Sequence, residues 1–290
     1  MSAPAELSPQ GPLALICGGG SLPLAVADSV AAHGRKVLLF PLHGAADPSG
    51  FAGRPHQWLY LGQFGKFARI ARAAGCRDLV FIGSLVRPSL WHIRPDFQTL
   101  LSLPDVIRAF RGGDDHLLSS IGKLVEQRGF HLCGAHEVAP DILAPAGALT
   151  RAQPSERDRT DIALGFDYLR AAGAFDVGQA AVVSGRHVLA VEAVEGTDQM
   201  LARVAELRRN GRLQASAGSG VLVKAPKPGQ DRRFDLPTIG PQTVERVVAA
   251  GLAGIAIVAG STVIAEPERL VEAADRAGIF VVGVPAASDG

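Results

Sequence analysis

The chain reads first as an alternation of short apolar runs and stretches of helical periodicity. Leu13 to Cys17 (LALIC) is apolar throughout and is closed by Gly18-Gly19-Gly20, after which Leu24 to His33 repeats apolar residues at helical spacing. Lys36 to Phe40 is a second apolar run and Asp78 to Ile82 (DLVFI) another, with a helical stretch through Ala68, Ile70 and Ala71 between them. Unbroken apolar runs of this length suit strands buried on both faces, and a helix between two strands favours a parallel crossover. This opening therefore predicts a βαβ unit of the nucleotide-binding kind. Phe130 to Gly134 predicts one more short strand. Ahead of it, Gly112-Gly113-Asp114-Asp115-His116 starts a helix through Leu117 to Val125, with an aspartate serving as N-cap or as an ion contact.

Between Pro140 and Pro154, proline and glycine interrupt every pattern, which places a domain boundary there. A long helix over Ser155 to Ala172 follows. Ala180 to Ser184 and His187 to Val194 are two strands joined by Gly185-Arg186, the spacing of a hairpin. Met200 to Arg209 is an amphipathic helix with Thr197 or Asp198 as its expected cap, and Val221 to Val223, Ile255 to Ala259 and Ile279 to Val284 are apolar strands separated by helices. The predicted fold is α/β with two α/β domains. Residues 1–12 form a disordered tail, 13–147 a Rossmann-like N-terminal domain with a parallel sheet, and 148–290 a C-terminal catalytic domain with a mixed sheet and helices.

Composition narrows the function. Hydrophobic residues make up 47% and charged residues 20% of 290 positions, enough apolar surface for packed cores. The net charge of +1 gives no global field for nucleic acid. Cys17, Cys76 and Cys133 are scattered in apolar contexts without metal-ligand spacing, which predicts reduced core residues and a cytoplasmic protein. The first residues lack the basic and apolar blocks of a signal peptide, and no run of 18 to 20 apolar residues offers a spanning helix.

The chemistry concentrates in VLVKAPKPGQDRRFDLPTIG, residues 221–240. Its apolar lead-in is a buried strand, after which Lys224, Lys227, Gln230, Asp231, Arg232, Arg233 and Asp235 crowd into twelve residues, while Pro226, Pro228 and Gly229 forbid a regular helix. Cations beside carboxylates suit a phosphorylated substrate, because lysine and arginine bind phosphate oxygens and aspartate holds a divalent ion or a water; a solvated basic loop with surface ion pairs is the plain alternative. The glycine turn lets backbone N–H groups approach an anion, although GGGSLP is not GxGxxG and no acidic residue closes the second strand. It reads as a phosphate or uridine contact or as a tight turn. Lys66, Ser84 and Arg87 stand at strand ends, where open parallel sheets bind ligands, or are solvated loop residues. GxSxG, HExxH and the metal framework of calcineurin-type phosphoesterases are all absent.

The run Lys224-x-x-Lys227-Pro228-x-Gln230-Asp231-x-Arg233-x-Asp235-x-Pro237-Thr238-Ile239-Gly240 resembles the UDP-2,3-diacylglucosamine pyrophosphatases of the alphaproteobacterial type, enzymes of lipid A biosynthesis. The resemblance extends over nearly the whole chain, through GGGSLP, GGDD and the EGTD turn. It implies hydrolysis of UDP-2,3-diacylglucosamine to 2,3-diacylglucosamine 1-phosphate and UMP with Mg2+ or Mn2+, by attack on the sugar-side phosphorus. It also implies a catalytic group of Asp231, Asp235, Lys224, Lys227, Gln230 and Arg233, with Asp231, Asp235, Glu192 and Asp198 as metal ligands. Gly18, Gly19, Gly20, Ser21, Leu22, Lys66, Ser84, Arg87, Thr197, Thr238 and Gly240 are the expected substrate contacts. Partners would be the lipid-linked UDP-sugar, met peripherally at the cytoplasmic face of the inner membrane, and a second copy in a homodimer, with no nucleic acid. Another nucleotide-sugar or sugar-phosphate hydrolase, and a non-catalytic nucleotide-sensing module, remain as alternative readings.

Overall fold

The computed structural model describes residues 11–84, 94, 96, 122–175, 177–213 and 218–286. Arg87 and the Asp114-Asp115-His116 helix start lie outside these residues. The chain divides into two units. Residues 1–141 with 231–235 form unit 1, and residues 142–230 with 236–290 form unit 2.

Unit 1 is built on the predicted parallel sheet. Strands β1 (Leu13–Cys17), β2 (Val37–Pro41), β3 (Asp78–Ile82) and β4 (His131–Leu132) lie in the order β2-β1-β3-β4, all parallel. Helix α1 (Leu22–Ala32) follows β1 and α2 (Phe64–Ala73) precedes β3. Ala14, Ile16, Phe40 and Leu79 pack with Phe67 and Ala71 of α2 and with Phe130 in one core. Phe67 meets Phe40 edge-on, with ring centroids 4.9 Å apart. β4 is shorter than the expected Phe130–Gly134 strand, because only His131 and Leu132 find ladder partners, Asp78 and Leu79. Cys133 still donates its backbone N–H to Leu79 O, and then the chain turns into the short helix α3 (Ala135–Val138).

Unit 2 carries a six-stranded mixed sheet. Its strands are β5 (Gly147–Ala148), β6 (Ala180–Ser184), β7 (His187–Val191), β8 (Val221–Lys224), β10 (Gly254–Val258) and β12 (Phe280–Val284), in the order β5-β12-β10-β8-β6-β7. β12, β10 and β8 are parallel, whereas β5 and the β6–β7 hairpin attach antiparallel. A separate parallel pair joins β9 (Thr238–Ile239) and β11 (Val263–Ile264). β5 falls inside the stretch read as irregular. Two residues between breakers carry no periodicity, and the strand exists only because β12 offers it an edge.

Alternate residues of β8 serve two cores. Leu222 packs among Met200, Leu201, Val244, Ile255 and Leu270, while Val221 and Val223 face Ile162 and Leu169. The latter side is covered by α4 (Glu156–Ala172), capped by Ser155, whose hydroxyl accepts the Asp158 N–H while the Asp158 carboxylate accepts the Ser155 N–H. Gly165 lets α4 come down on the sheet, since a Cβ there would stand 2.6 Å from a methyl of Val223. One turn earlier, buried Asp161 accepts the backbone N–H groups of Gly185 and Arg186 at 2.9 and 2.6 Å. Those two residues have φ of 57° and 65°, the left-handed pair of a type I′ turn, and so form the predicted hairpin. β7 ends at Val191, short of the expected Val194, as the chain turns into α5 (Gly196–Arg209). Helices α6 (Pro241–Ala249) and α7 (Pro267–Ala277) follow β9 and β11 and pack with α5 on the face of the sheet opposite α4.

Candidate functional site

The charged segment is divided between the units after Gln230. In unit 2, Lys224 ends β8 with its side chain buried, donating from Nζ to Thr197 Oγ1 at 3.1 Å and to Thr238 O at 3.0 Å. Thr197 Oγ1 donates to Glu192 Oε1 at 2.8 Å, and Glu192 Oε2 accepts the Gln179 N–H at 2.9 Å. Gln179 Nε2 in turn donates to Gln230 Oε1 at 3.0 Å, and the same oxygen accepts the Lys227 N–H at 3.2 Å. One hydrogen-bonded chain thus gathers Lys224, Thr197, Glu192, Thr238, Gln230 and the Lys227 backbone. Burying an ammonium is costly unless oxygen acceptors surround it, which is what the Thr197 hydroxyl and the Thr238 carbonyl provide. Lys224 is thereby fixed as a positive charge at the carboxyl end of a central strand, the end where open α/β sheets take ligands.

Neither Thr197 nor Asp198 caps α5. Both lie within its first turn, and Glu195 occupies the cap position without a side-chain capping bond, its carboxylate accepting instead from Arg203. Thr197 is withheld from capping because its hydroxyl lies between Lys224 and Glu192, 27 and 5 residues away, pairings that local sequence does not encode. Asp198 remains an acidic residue in the first turn, where it complements the helix dipole. Gly240 is the N-cap residue of α6, its N–H donating to Thr243 Oγ1 at 3.2 Å.

In unit 1, Asp231 to Asp235 form a turn in which Asp231 O accepts the N–H groups of Phe234 and Asp235 at 3.1 and 3.4 Å. The Asp231 carboxylate accepts from the Arg233 N–H, Nε and Nη2 at 3.0, 3.0 and 2.8 Å. Arg233 Nη1 donates to Glu126 at 2.8 Å. This bidentate pairing holds the Asp231 carboxyl below its ordinary value and raises that of the guanidinium. Arg233, expected to neutralise a pyrophosphate, is here engaged by two carboxylates. Phe234 packs on Phe81 of β3, with ring centroids 5.7 Å apart, and seats the turn in unit 1. Phe234 is not among the anticipated site residues, although an aromatic side chain within a run of charges is a usable sign of an anchor. His136 stands near Asp231 and Arg232, and burial, then Arg232, holds its imidazole below the usual value.

In the glycine turn the backbone bonds are those of the tight-turn alternative. The N–H groups of Gly18 and Gly19 donate to Ile82 O and Ser84 O, both at 2.8 Å, and Ser84 N returns a bond to Gly19 O. A Cβ on Gly18 would lie 2.5 Å from Ser84 O, so the glycine is required for this contact. Ser84 and the turn are brought together, with those two N–H groups committed to the sheet end. Gly20, with φ of 89°, then leads into Ser21 and α1, which begins at Leu22. Lys66 donates from Nζ to Trp58 O at 2.9 Å, and its backbone N–H is accepted by Asp96.

A groove of about 560 Å³ on unit 1, along β2 and the end of α1, is lined by none of the anticipated site residues. Among the described residues, the four anticipated metal ligands do not form a cluster of three. Asp78, His131 and Cys133 do, in unit 1. The oxygen donors of the charged segment nevertheless suit Mg2+ or Mn2+, because such ions are commonly bound by one or two carboxylates and complete their shell with water and substrate phosphate. Asp231 or Asp235 would supply those oxygens.

Residues 12–142 match the model of the LpxI N-terminal domain, and residues 145–282 that of the LpxI C-terminal domain. The chain is 44% identical over 272 residues to the UDP-2,3-diacylglucosamine pyrophosphatase LpxI of Caulobacter vibrioides, an alignment covering 94% of this chain and 97% of the relative. The chain belongs to the LpxI family.

Proposed function

We propose that this protein hydrolyses the pyrophosphate of UDP-2,3-diacylglucosamine, yielding 2,3-diacylglucosamine 1-phosphate and UMP. The observation that carries the reading is the segment from Lys224 to Asp235, which holds a buried lysine at a sheet end and follows it with two aspartates, in a member of the LpxI family. The lysines answer the charge of the two phosphates, Lys224 from a fixed position and Lys227 from the loop. A carboxylate of the Asp231–Asp235 turn orients the attacking water, whose oxygen ends on one phosphate as the bridging oxygen leaves with the other; the two protons of the water pass to the two product phosphates, one each, and from there to solvent as those monoesters ionise. A bound Mg2+ or Mn2+ supplies Lewis acidity toward the phosphate oxygens. The lipid-linked substrate of such a reaction would be met peripherally, at the cytoplasmic face of the inner membrane; no helix among the described residues is long and apolar enough to cross a membrane.

The test is incubation of the purified protein with UDP-2,3-diacylglucosamine and Mg2+ or Mn2+, with release of UMP as the readout. UMP is expected with the cation and is lost in EDTA. In 18O-labelled water, the label is expected in the lipid phosphate, on the sugar side. Full activity after exhaustive EDTA treatment removes the metal from the reading. Binding of the substrate without UMP release would replace the hydrolase by a sensing module.

A further inference from the structure

Asp78, His131 and Cys133 lie at the amino-terminal edge of the unit 1 sheet, the opposite end from Gly18 and Ser84. Asp78 opens β3 and pairs in register with His131 of β4, and Cys133 follows two residues later on the same side of the chain. His131 Nδ1 stands 3.2 Å from Asp78 Oδ1 and 3.2 Å from Cys133 Sγ, and the three ligand atoms all lie within 4.8 Å of one another.

A nucleophilic thiol relay would place the thiol and the carboxylate at opposite ring nitrogens, so that the proton taken at one is balanced by the bond at the other. Here both face the same nitrogen. Nδ1 carries at most one proton and can satisfy only one of them. Replacing that proton and the thiol proton by one cation satisfies all three atoms. A tetrahedral Zn2+ with bonds of about 2.0–2.3 Å sets its ligands about 3.3–3.8 Å apart, near the 3.2 Å of the two pairs that involve His131 and within the 4.8 Å that bounds all three.

We propose that Asp78, His131 and Cys133 form a Zn2+ site, with three protein ligands and a fourth position open to water beside the exposed His131 ring. The carboxylate, imidazole and thiolate set is that of a borderline-soft ion, unlike the all-oxygen donors of the charged segment. Arg35 is the apparent obstacle, since its guanidinium is bonded to Asp78. It holds Oδ2 and leaves Oδ1 toward the cluster, the arrangement by which an outer partner orients a ligating carboxylate. The charges also close. Zn2+ and Arg35 are met by Asp78, the Cys133 thiolate and Glu137, which acts on the same thiol, while Arg233, also acting on it, is paired with Asp231 and Glu126. The site does not depend on the hydrolytic reading and requires no bond made or broken in a substrate.

The experiment titrates Co2+ into the full-length, metal-stripped protein and watches for thiolate-to-cobalt charge-transfer absorption. One Co2+ per chain is expected, displaced stoichiometrically by Zn2+. Cys133→Ser abolishes the absorption, and His131→Ala weakens Zn2+ at least about tenfold, the order by which even outer partners of a metal matter. Because the His131 side chain is 73% exposed, His131→Ala tests the site in a folded protein, checked by circular dichroism. No charge-transfer band, a band that survives Cys133→Ser, or unchanged Zn2+ affinity in folded His131→Ala would overturn the proposal.

Discussion

The two halves of the charged segment are held by different forces. From Lys224 to Gln230 the chain is knit into unit 2 by successive hydrogen bonds through Thr197, Glu192 and Gln179, and its key charge is buried at a strand end. From Asp231 to Asp235 it is seated in unit 1 by the Phe234–Phe81 ring contact and by the partly exposed Arg233–Glu126 ion pair. A buried ammonium held by oxygen acceptors is stiff, because each lost bond leaves a group unmet, whereas an exposed pair can exchange partners at little cost. The first half is suited to hold a fixed positive charge, and the second to let carboxylates take up a cation or a water when substrate arrives.

The comparison breaks most sharply at the aspartates. Asp231→Ala or Asp235→Ala is expected to lower kcat by about two orders of magnitude or more while the protein stays folded. If both variants turn over normally, the catalytic carboxylate belongs to unit 2, with Glu192 and Asp198 next to be tested. Lys224→Met should cost activity and stability together. Thr197 and the Thr238 carbonyl lose their donor, for about 1–3 kcal/mol in urea unfolding, and kcat/KM falls about a hundredfold. Unchanged unfolding in this variant would mean that the buried network contributes nothing to unit 2.

Phe234→Ala sharpens the contrast from the other side. It should cost only about 1 kcal/mol of stability yet lower kcat about tenfold, because it unseats the aspartate turn and leaves the Lys224 network untouched. The smallest effect is on pH. His136 and Asp231 both have lowered values in the folded protein, so each contributes stability above its ordinary value, 6.5 or 3.8, that is lost as pH falls through the folded one. Urea midpoints should therefore decline as pH drops below 6.5, and His136→Gln should flatten that first decline. An identical slope in the variant would assign the decline to other groups.

Much of the architecture was legible because it is local. Five-residue apolar runs, the Ser155 cap and Gly185-Arg186 each specify an element through neighbours a few residues away, and β1, β3, β6 and α4 match their expected bounds within a residue. The charged segment was legible in the same way, as a density of residue types in one stretch. Tertiary structure decided what those residues touch. Thr197 serves Lys224 rather than its own helix, and the Gly18 and Gly19 N–H groups close a sheet end rather than wait for an anion. Asp78 meets His131 and Cys133 across 53 and 55 positions through the register of β3 with β4. Periodicity along a chain encodes which face of an element is buried, but register between strands is settled only when distant cores pack, and it is register that brings side chains from separate elements to one point.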